Sequence, residues 1–188
     1  MTTSNEYKLS TSVKPSNYFL TLSPNFDDMT FRGTVVIDIT LNESTNSITM
    51  NAIELELLEA SVDCNSGTLS SSKFFYDEHK EQVTINFEDT ISDPTAKLTI
   101  EFTGILNDRL HGFYRSTYLD HAGNQKIMAC TQFEPTDARR AFPCWDEPEI
   151  KSTFEIILKV PTTMEAISNM PIYKEENSTN NEKIVIFE

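Results

Sequence analysis

Alternating apolar and polar positions dominate this chain and predict β-strands. In the segment TFRGTVVIDITL, apolar side chains occupy every second position on one face: Phe31, Val35, Ile37, Ile39 and Leu41. The other face carries Arg32, Thr34, Asp38 and Thr40, with Val36 as the exception. Successive side chains of a strand point to opposite faces, so this pattern is typical of a strand with one buried face.

The same alternation recurs along the chain, separated by turn signals. It is found at Tyr18, Leu20 and Leu22; Val83, Ile85 and Phe87; Leu98, Ile100 and Phe102; Phe154, Ile156, Leu158 and Val160; and Ile184 and Ile186. NAIELELLEA fits strand or helix, and its flanking strands favour strand. Turns are predicted at 25–28, 42–46, 65–72, 92–94, 107–108 and 122–124, and a hairpin loop at 174–183. Many short strands with regular turns predict an all-β fold, either a sandwich or a pair of packed sheets.

The ends of the chain suggest its domain organisation. The start, MTTSNEYKLS, is polar and lacks the apolar stretch of a signal peptide. The end, KIVIFE, is an apolar strand without a closing turn. We therefore expect a flexible terminus at residues 1–8 and one β domain at residues 9–188 that is truncated at its C-terminal end.

The net charge indicates which partners the protein could bind, and the cysteine content indicates its cellular compartment. The chain has 188 residues, 29 acidic against 15 basic, and a formal net charge of −14. This acidity disfavours nucleic acid and anionic membranes as partners, and no apolar run is long enough to span a membrane. Cys64, Cys130 and Cys144 show no C-x-x-C spacing, so a reducing, cytoplasmic location is expected. The acidity is explained by solubility, or by a site for cationic ligands such as peptide amino termini.

The segment TQFEPTDARRAFPCWDEP, residues 131–148, concentrates the candidate chemistry. If the preceding strand continues, Gln132 and Glu134 share one face and Phe133 points into the core, until Pro135 ends the ladder. A carboxylate beside an amide suits a donor-rich cation such as an ammonium group. The alternative interpretation is a structural ion pair from Glu134 to Arg139 or Arg140.

The rest of this segment predicts a rigid connection. Between its prolines we expect a short helical turn, in which Asp137 and Arg140 have the i, i+3 spacing of a local ion pair. Phe142 and Trp145 are large apolar anchors that would pack on a sheet.

The remaining candidates for catalysis or metal binding are weak. His79, His111 and His121 lack metal-ligand spacing and are expected on loops or on the surface. Acidic neighbours of Cys144 would raise the pKa of its thiol, which makes it a poor nucleophile. We predict no catalytic residue and no metal ligand in this chain.

Segment 131–154 resembles a known family, the zinc aminopeptidases related to aminopeptidase N and puromycin-sensitive aminopeptidase. The family pattern is Q-x-E, then P-T-x-A-R-x-A-F-P-C-[FW]-D-E-P, then K-[AS]-x-F. The matching residues are Gln132, Glu134, Pro135, Thr136, Ala138, Arg139, 141–146, Glu147, Pro148, Lys151 and Phe154. GFYRSTY, VKPSNYFLTLSP, TFRGTVVIDI and ITMNAIELEL also resemble family strands, so that the resemblance extends over residues 9–188.

The resemblance implies a fold and two site residues. The fold is the saddle-shaped N-terminal β domain, a curved sheet with additional packed β layers, that precedes a thermolysin-like catalytic domain. The residue at the position of Glu134 binds the substrate α-amino group in that family, and the residue at Gln132 lines the first specificity pocket. Arg139, Phe142 and Trp145 are expected to be structural despite their match.

The catalytic motifs of the family are not found in this sequence. The H-E-x-x-H zinc motif, its downstream Glu and the G-A-M-E-N motif are all missing, so the chain alone is expected to be inactive and to bind no zinc. The resemblance therefore implies the N-terminal part of a zinc aminopeptidase, with peptide N-termini and its own catalytic domain as partners. The alternatives are a non-catalytic interaction module of an aminopeptidase-like scaffold protein and an inactive gene fragment.

Overall fold

The computed structural model describes residues 7–179 and 181–188, and they form an all-β fold. In these residues, twelve strands and one short 3-10 helix follow one another. The strands are β1 (Val13–Asn25), β2 (Thr30–Leu41), β3 (Thr45–Asn51), β4 (Leu55–Cys64), β5 (Gly67–Asp77), β6 (Gln82–Ile91), β7 (Thr95–Ile105), β8 (Gly112–Leu119), β9 (Gln125–Gln132), β10 (Thr153–Pro161), β11 (Ile172–Asn177) and β12 (Glu182–Phe187). The helix η1 spans Ala138–Arg140. The predicted all-β fold class is confirmed.

The alternation that predicts β2 is reproduced in its burial. Phe31, Val35, Ile37, Ile39 and Leu41 are all buried, whereas Val36 is only half-buried. Gly33 continues the buried face, where a Cβ would lie 2.2 Å from the ring of Phe102 on the neighbouring β7. A side chain therefore has no room at this position, and glycine allows the two strands to approach.

Ten strands form one large curved sheet. Its order is β11-β12-β10-β1-β2-β7-β4-β5-β6-β3. Most neighbours are antiparallel, but β1 and β10 pair in parallel. β5 links two regions of the sheet, since residues 67–70 pair with β4 and residues 71–77 pair with β6. Buried side chains of β1, β2, β3, β4, β6 and β7 belong to one core.

The hairpin β8–β9 forms a second, two-stranded sheet, and the candidate site lies at the end of β9. It pairs from Gly112↔Gln132 to Leu119↔Gln125. Phe113 is buried in the main core and contacts Phe31 with a ring-centroid distance of 5.1 Å. This contact anchors the hairpin base, and the end of β9, to the large sheet.

Three local predictions need correction. Residues 67–72 were predicted within a turn but belong to β5, whose serine-rich, largely exposed sequence lacks an apolar alternation. In β12 the buried apolar residues are Val185 and Phe187 rather than Ile184 and Ile186. The loop predicted at 174–183 is shorter, because β11 extends to Asn177 and β12 begins at Glu182.

The expected flexible terminus at 1–8 falls mostly on residues 1–6, outside the described residues. Of the remainder, Tyr7 contacts His79 with its hydroxyl and accepts a hydrogen bond from Gln82 on its carbonyl oxygen. Lys8 forms an ion pair with Glu149 at 2.6 Å. Tyr7 and Lys8 therefore make specific contacts with the domain.

Candidate functional site

The candidate site lies where β9 ends. The strand stops at Gln132, so the condition under which Gln132 and Glu134 would share one strand face is not met. Instead, residues 133–137 form a turn in which the amide of Asp137 donates to the carbonyl of Phe133 at 2.8 Å, and the Glu134–Pro135 peptide bond is cis. Because proline has no amide hydrogen, Pro135 cannot extend the ladder.

Gln132 and Glu134 both lie at the surface of this turn. The side-chain amide of Gln132 donates to the carbonyl oxygen of Glu134 at 3.5 Å. Glu134 borders a pocket of about 380 Å³, and Gln132 does not. The two side chains are thus near each other, but only Glu134 is placed at a concave surface.

Aromatic side chains form the wall behind Glu134. Phe133 points inward as predicted and packs edge-on against Phe142, with 5.9 Å between ring centroids. Phe142 in turn packs edge-on against Tyr18 and Phe154, which stack on each other at 4.8 Å. These aromatic rings all line the pocket and fix the inner side of the turn.

Phe142 and Trp145 are the predicted apolar anchors, and both are buried. The Trp145 amide donates to the hydroxyl of Tyr18 at 3.2 Å. Burial raises the pKa of that hydroxyl far above its usual range, with a smaller contribution from nearby acidic groups, so that Tyr18 is a neutral structural group. The connection between η1 and β10 is therefore held by packing and by a buried hydrogen bond.

The ion pair from Glu134 to Arg139 or Arg140 is not formed. Arg139 is buried, and its guanidinium contacts Asp146 at 2.9 Å and Glu81 at 3.1 Å. Arg140 contacts Asp137, as its spacing predicts, at 2.8 Å. Within the described part of the chain, the Glu134 carboxylate has no basic side chain within ion-pair distance, which leaves it open to a ligand.

Two acidic residues outside segment 131–148 also contact its arginines. Glu81 contacts both Arg139 and Arg140, and Glu54 contacts Arg140 at 3.1 Å and Arg109 at 2.6 Å. Sequence reasoning missed both glutamates, because they are separated from the arginines by more than fifty positions. The pairing of the strands in the sheet brings the turns that carry Glu54 and Glu81 next to the arginines.

The residues judged weak candidates are structural or peripheral. Cys144 is fully buried, and burial followed by the charge of Asp146 raises its thiol pKa well above the usual value. His111 lies 3.2 Å from Asp137, while His79 contacts Tyr7 near the surface. In the described residues there is no group of three or more His, Cys, Asp or Glu side chains that could hold a metal ion.

Residues 7–179 and 181–188 contain no helix with the length and hydrophobicity needed to cross a membrane.

Comparison with known proteins gives a consistent result along the chain. The pattern of the Peptidase M1 N-terminal domain matches residues 14–188. The chain is 44% identical to Aminopeptidase M1 of Arabidopsis thaliana over 187 residues, which is 97% of this chain and 21% of that protein. It is 45% identical to Aminopeptidase 2 of Candida albicans over 181 residues, which is 96% of this chain and 19% of that protein.

Puromycin-sensitive aminopeptidase of Caenorhabditis elegans is 38% identical over 169 residues, covering 89% of this chain and 18% of that protein. The chain thus spans about a fifth of the length of the curated relatives it matches.

Proposed function

Because this chain belongs to the family of peptidase M1 N-terminal domains, we propose that it forms the substrate amino-terminus site of a longer aminopeptidase. In this proposal the Glu134 carboxylate binds the α-ammonium group of a peptide substrate. Gln132, beside it at the end of β9, contributes to the pocket for the first residue. Peptide hydrolysis itself is performed by a catalytic domain of the same polypeptide.

One observation carries the proposal. Of the four acidic residues in segment 131–148, Asp137 and Asp146 pair with arginines and Glu147 accepts a hydrogen bond from the Leu9 amide, whereas the Glu134 carboxylate has no such partner among the described residues. Its carboxylate is exposed beside an aromatic-walled pocket rather than neutralised by the basic residues five and six positions away. A carboxylate placed in this way has free acceptor capacity for a cation.

The chemistry explains why such a group selects chain ends. The amino terminus is the one place where the backbone of a peptide offers an ammonium with three donors, and a carboxylate forms charge-assisted hydrogen bonds with it. An internal peptide bond has no charge to pair with Glu134. A site organised in this way therefore favours removal of single residues from the amino end.

The exposure of Glu134 also indicates that the site is incomplete in this chain. Exposed ion pairs contribute about 0–1 kcal/mol in water, which is too little for useful affinity. Strong binding requires that another surface covers the carboxylate and excludes solvent. We assign that surface to the catalytic domain, which would also hold the zinc ion, since residues 7–179 and 181–188 contain no group of side chains that could bind a metal. The proposal includes a cytoplasmic location, as its sparse, unpaired cysteines lead us to expect.

The experiment that tests the proposal is a substrate comparison with the complete gene product. Peptides with a free amino terminus and the same peptides acetylated at that terminus are offered to the purified protein, and its zinc content is measured. We expect hydrolysis of the free peptides only, in a zinc-containing protein. A complete protein that holds no zinc and cleaves neither set would instead support the non-catalytic interaction module or an inactive fragment.

A further inference from the structure

Two glutamates on distant turns converge on the arginines that follow the candidate site. Glu54 lies on the turn between β3 and β4, and Glu81 on the turn between β5 and β6. Glu81 contacts Arg139 with one carboxylate oxygen at 3.1 Å and Arg140 with the other at 3.4 Å. Glu54 contacts the remaining terminal nitrogen of Arg140 at 3.1 Å.

Both glutamates adopt a backbone conformation that L-residues rarely take. Their φ angles are 58° for Glu54 and 53° for Glu81. The left-handed region disfavours any side chain with a Cβ, and glycine would occupy it at lower cost. Glycine at either position would, however, remove a carboxylate from the arginines. Non-glycine residues keep such a conformation where contacts with their surroundings stabilise it. We assign that stabilisation to the contacts between the two carboxylates and the arginines.

The contacts lead from these glutamates to the turn that carries Glu134. The Nε atom of Arg140 donates to Asp137 at 2.8 Å, and the Asp137 amide closes the turn on the Phe133 carbonyl at 2.8 Å. Arg140 thus connects both glutamates to the last residue of the turn. Glu134 lies inside this closed turn.

Backbone hydrogen bonds join the same parts of the molecule. The Ile53 amide donates to the carbonyl of Arg139 at 3.1 Å, and the Ala52 amide donates to the carbonyl of Glu81 at 3.0 Å. The two strand turns and η1 therefore form one connected unit. The side chain of Arg140 is only 16% exposed, so its contacts are partly shielded from solvent.

We propose that Glu81 and Glu54 are positioning residues for the amine-binding site, and that they hold the Glu134 turn in place through Arg140 and Asp137. They do not touch the substrate. Their effect is to restrict the orientations of the turn, so that the Glu134 carboxylate is already placed when a peptide arrives. Preorganisation of this kind lowers the entropy lost on binding. The inference rests on the proposed function of Glu134.

Its structural part is tested by hydrogen exchange on this 188-residue chain. The variants are Glu81→Gly, which suits the left-handed backbone but removes the carboxylate, and Glu81→Gln, which keeps the side-chain length. Asp77→Asn is the matched control, because Asp77 is the last residue of β5 before this turn and its carboxylate contacts Lys80 rather than an arginine. We expect the Asp137 amide to exchange about tenfold faster or more in both Glu81 variants, while amides of β2 and β7 stay unchanged.

Its functional part is tested by steady-state kinetics on the complete enzyme. Both Glu81 variants are expected to raise KM for free-amine peptides about tenfold with kcat altered less than about threefold, as for lost binding rather than lost chemistry. Asp77→Asn should change neither constant. A merely structural role would lower the amount of active enzyme, and so the apparent kcat, without moving KM.

The outcomes separate the two proposals. If Glu134→Gln leaves kcat/KM unchanged, the proposed function of Glu134 fails and the positioning role fails with it. If Glu134→Gln lowers kcat/KM but both Glu81 variants retain the parental KM, only the positioning role is overturned. Unchanged exchange at the Asp137 amide would overturn it as well, whatever the kinetics show.

Discussion

The Asp137 carboxylate and the Arg140 guanidinium lie 2.8 Å apart, one 3-10 turn from each other. The i, i+3 spacing in the sequence predicts this pair, and the structure confirms it. Asp137 also lies 3.2 Å from His111 on the loop before β8. One aspartate thereby connects the turn of the candidate site to two other segments.

This network should make stability depend on acid pH. Partial burial alone would raise the pKa of the Asp137 carboxyl, but hydrogen bonds from His111 and Arg140 outweigh it and lower that pKa from its ordinary value. Burial of Glu54 is similarly outweighed by Arg109 and Arg140, so the pKa of Glu54 is also lowered. A carboxyl with a lowered pKa in the folded state contributes stability that is present above its unfolded pKa and is lost as pH falls through the folded value.

We therefore expect the free energy of unfolding contributed by these groups to be fully present above about pH 5 and to be lost below it. Urea denaturation of the parent and of a Glu54→Gln, Asp137→Asn double variant, at pH 7 and at pH 3.5, measures this contribution. The difference between the two proteins should shrink at the lower pH. An equal difference at both values would show that the carboxyl charges do not contribute.

A side chain at Gly112 is expected to destabilise the fold, because the φ of Gly112 is 69° and an added Cβ would lie 2.6 Å from the Cβ of Arg140. Gly123 provides the control, since its φ is 81° but nothing lies within 4 Å of an added Cβ. Gly123→Ala should cost about 1–2 kcal/mol through the backbone alone. Gly112→Ala should cost about 1–3 kcal/mol more, through the clash. Equal costs in chemical denaturation would mean that Arg140 moves aside freely.

Phe142 should be a major contributor to stability, because it is buried and contacts the rings of Tyr18, Phe133 and Phe154. Phe142→Ala is expected to cost about 3–5 kcal/mol of unfolding free energy. The exposed Phe75 serves as the comparison, and its replacement by Ala should cost about 0.5 kcal/mol or less. Similar losses for the two variants would show that the aromatic cluster is not a core element.

Cys144 should be unreactive in the folded protein, because it is buried and its thiol pKa is raised. Cys64 and Cys130 are partly exposed and provide an internal comparison. A chromogenic thiol reagent should label these two in the native protein and Cys144 only after unfolding in guanidinium. Labelling of all three at similar rates in the native state would contradict the buried position of Cys144.

Period-two alternation was enough to predict most strands and the fold class, but it failed where the pattern carries no information. In β12 four consecutive apolar residues, 184–187, leave the buried face undecided, and packing against β10 selects Val185 and Phe187. In β5 the exposed serines provide no apolar face, although the strand is required to join two regions of the sheet.

The site was predictable only in its local part. The sequence indicated the pairing of Asp137 with Arg140 and the inward position of Phe133, because both depend on near neighbours. It could not indicate Glu54 and Glu81, whose contacts with Arg140 depend on the order of strands in the sheet. The sequence also left open whether Glu134 forms an ion pair or binds a ligand, because Arg139 and Arg140 are close enough in sequence to reach its carboxylate.

The most direct test of the central claim is the kinetics of Glu134→Gln in the complete enzyme with free-amine peptides. Glu155→Gln, which neutralises an exposed carboxylate on β10, is the control. If Glu134 binds the α-ammonium group in a solvent-shielded site, kcat/KM should fall by about 30-fold to 1000-fold, equivalent to about 2–4 kcal/mol, while the control retains the parental value. A Glu134→Gln enzyme with the parental kcat/KM would contradict the claim.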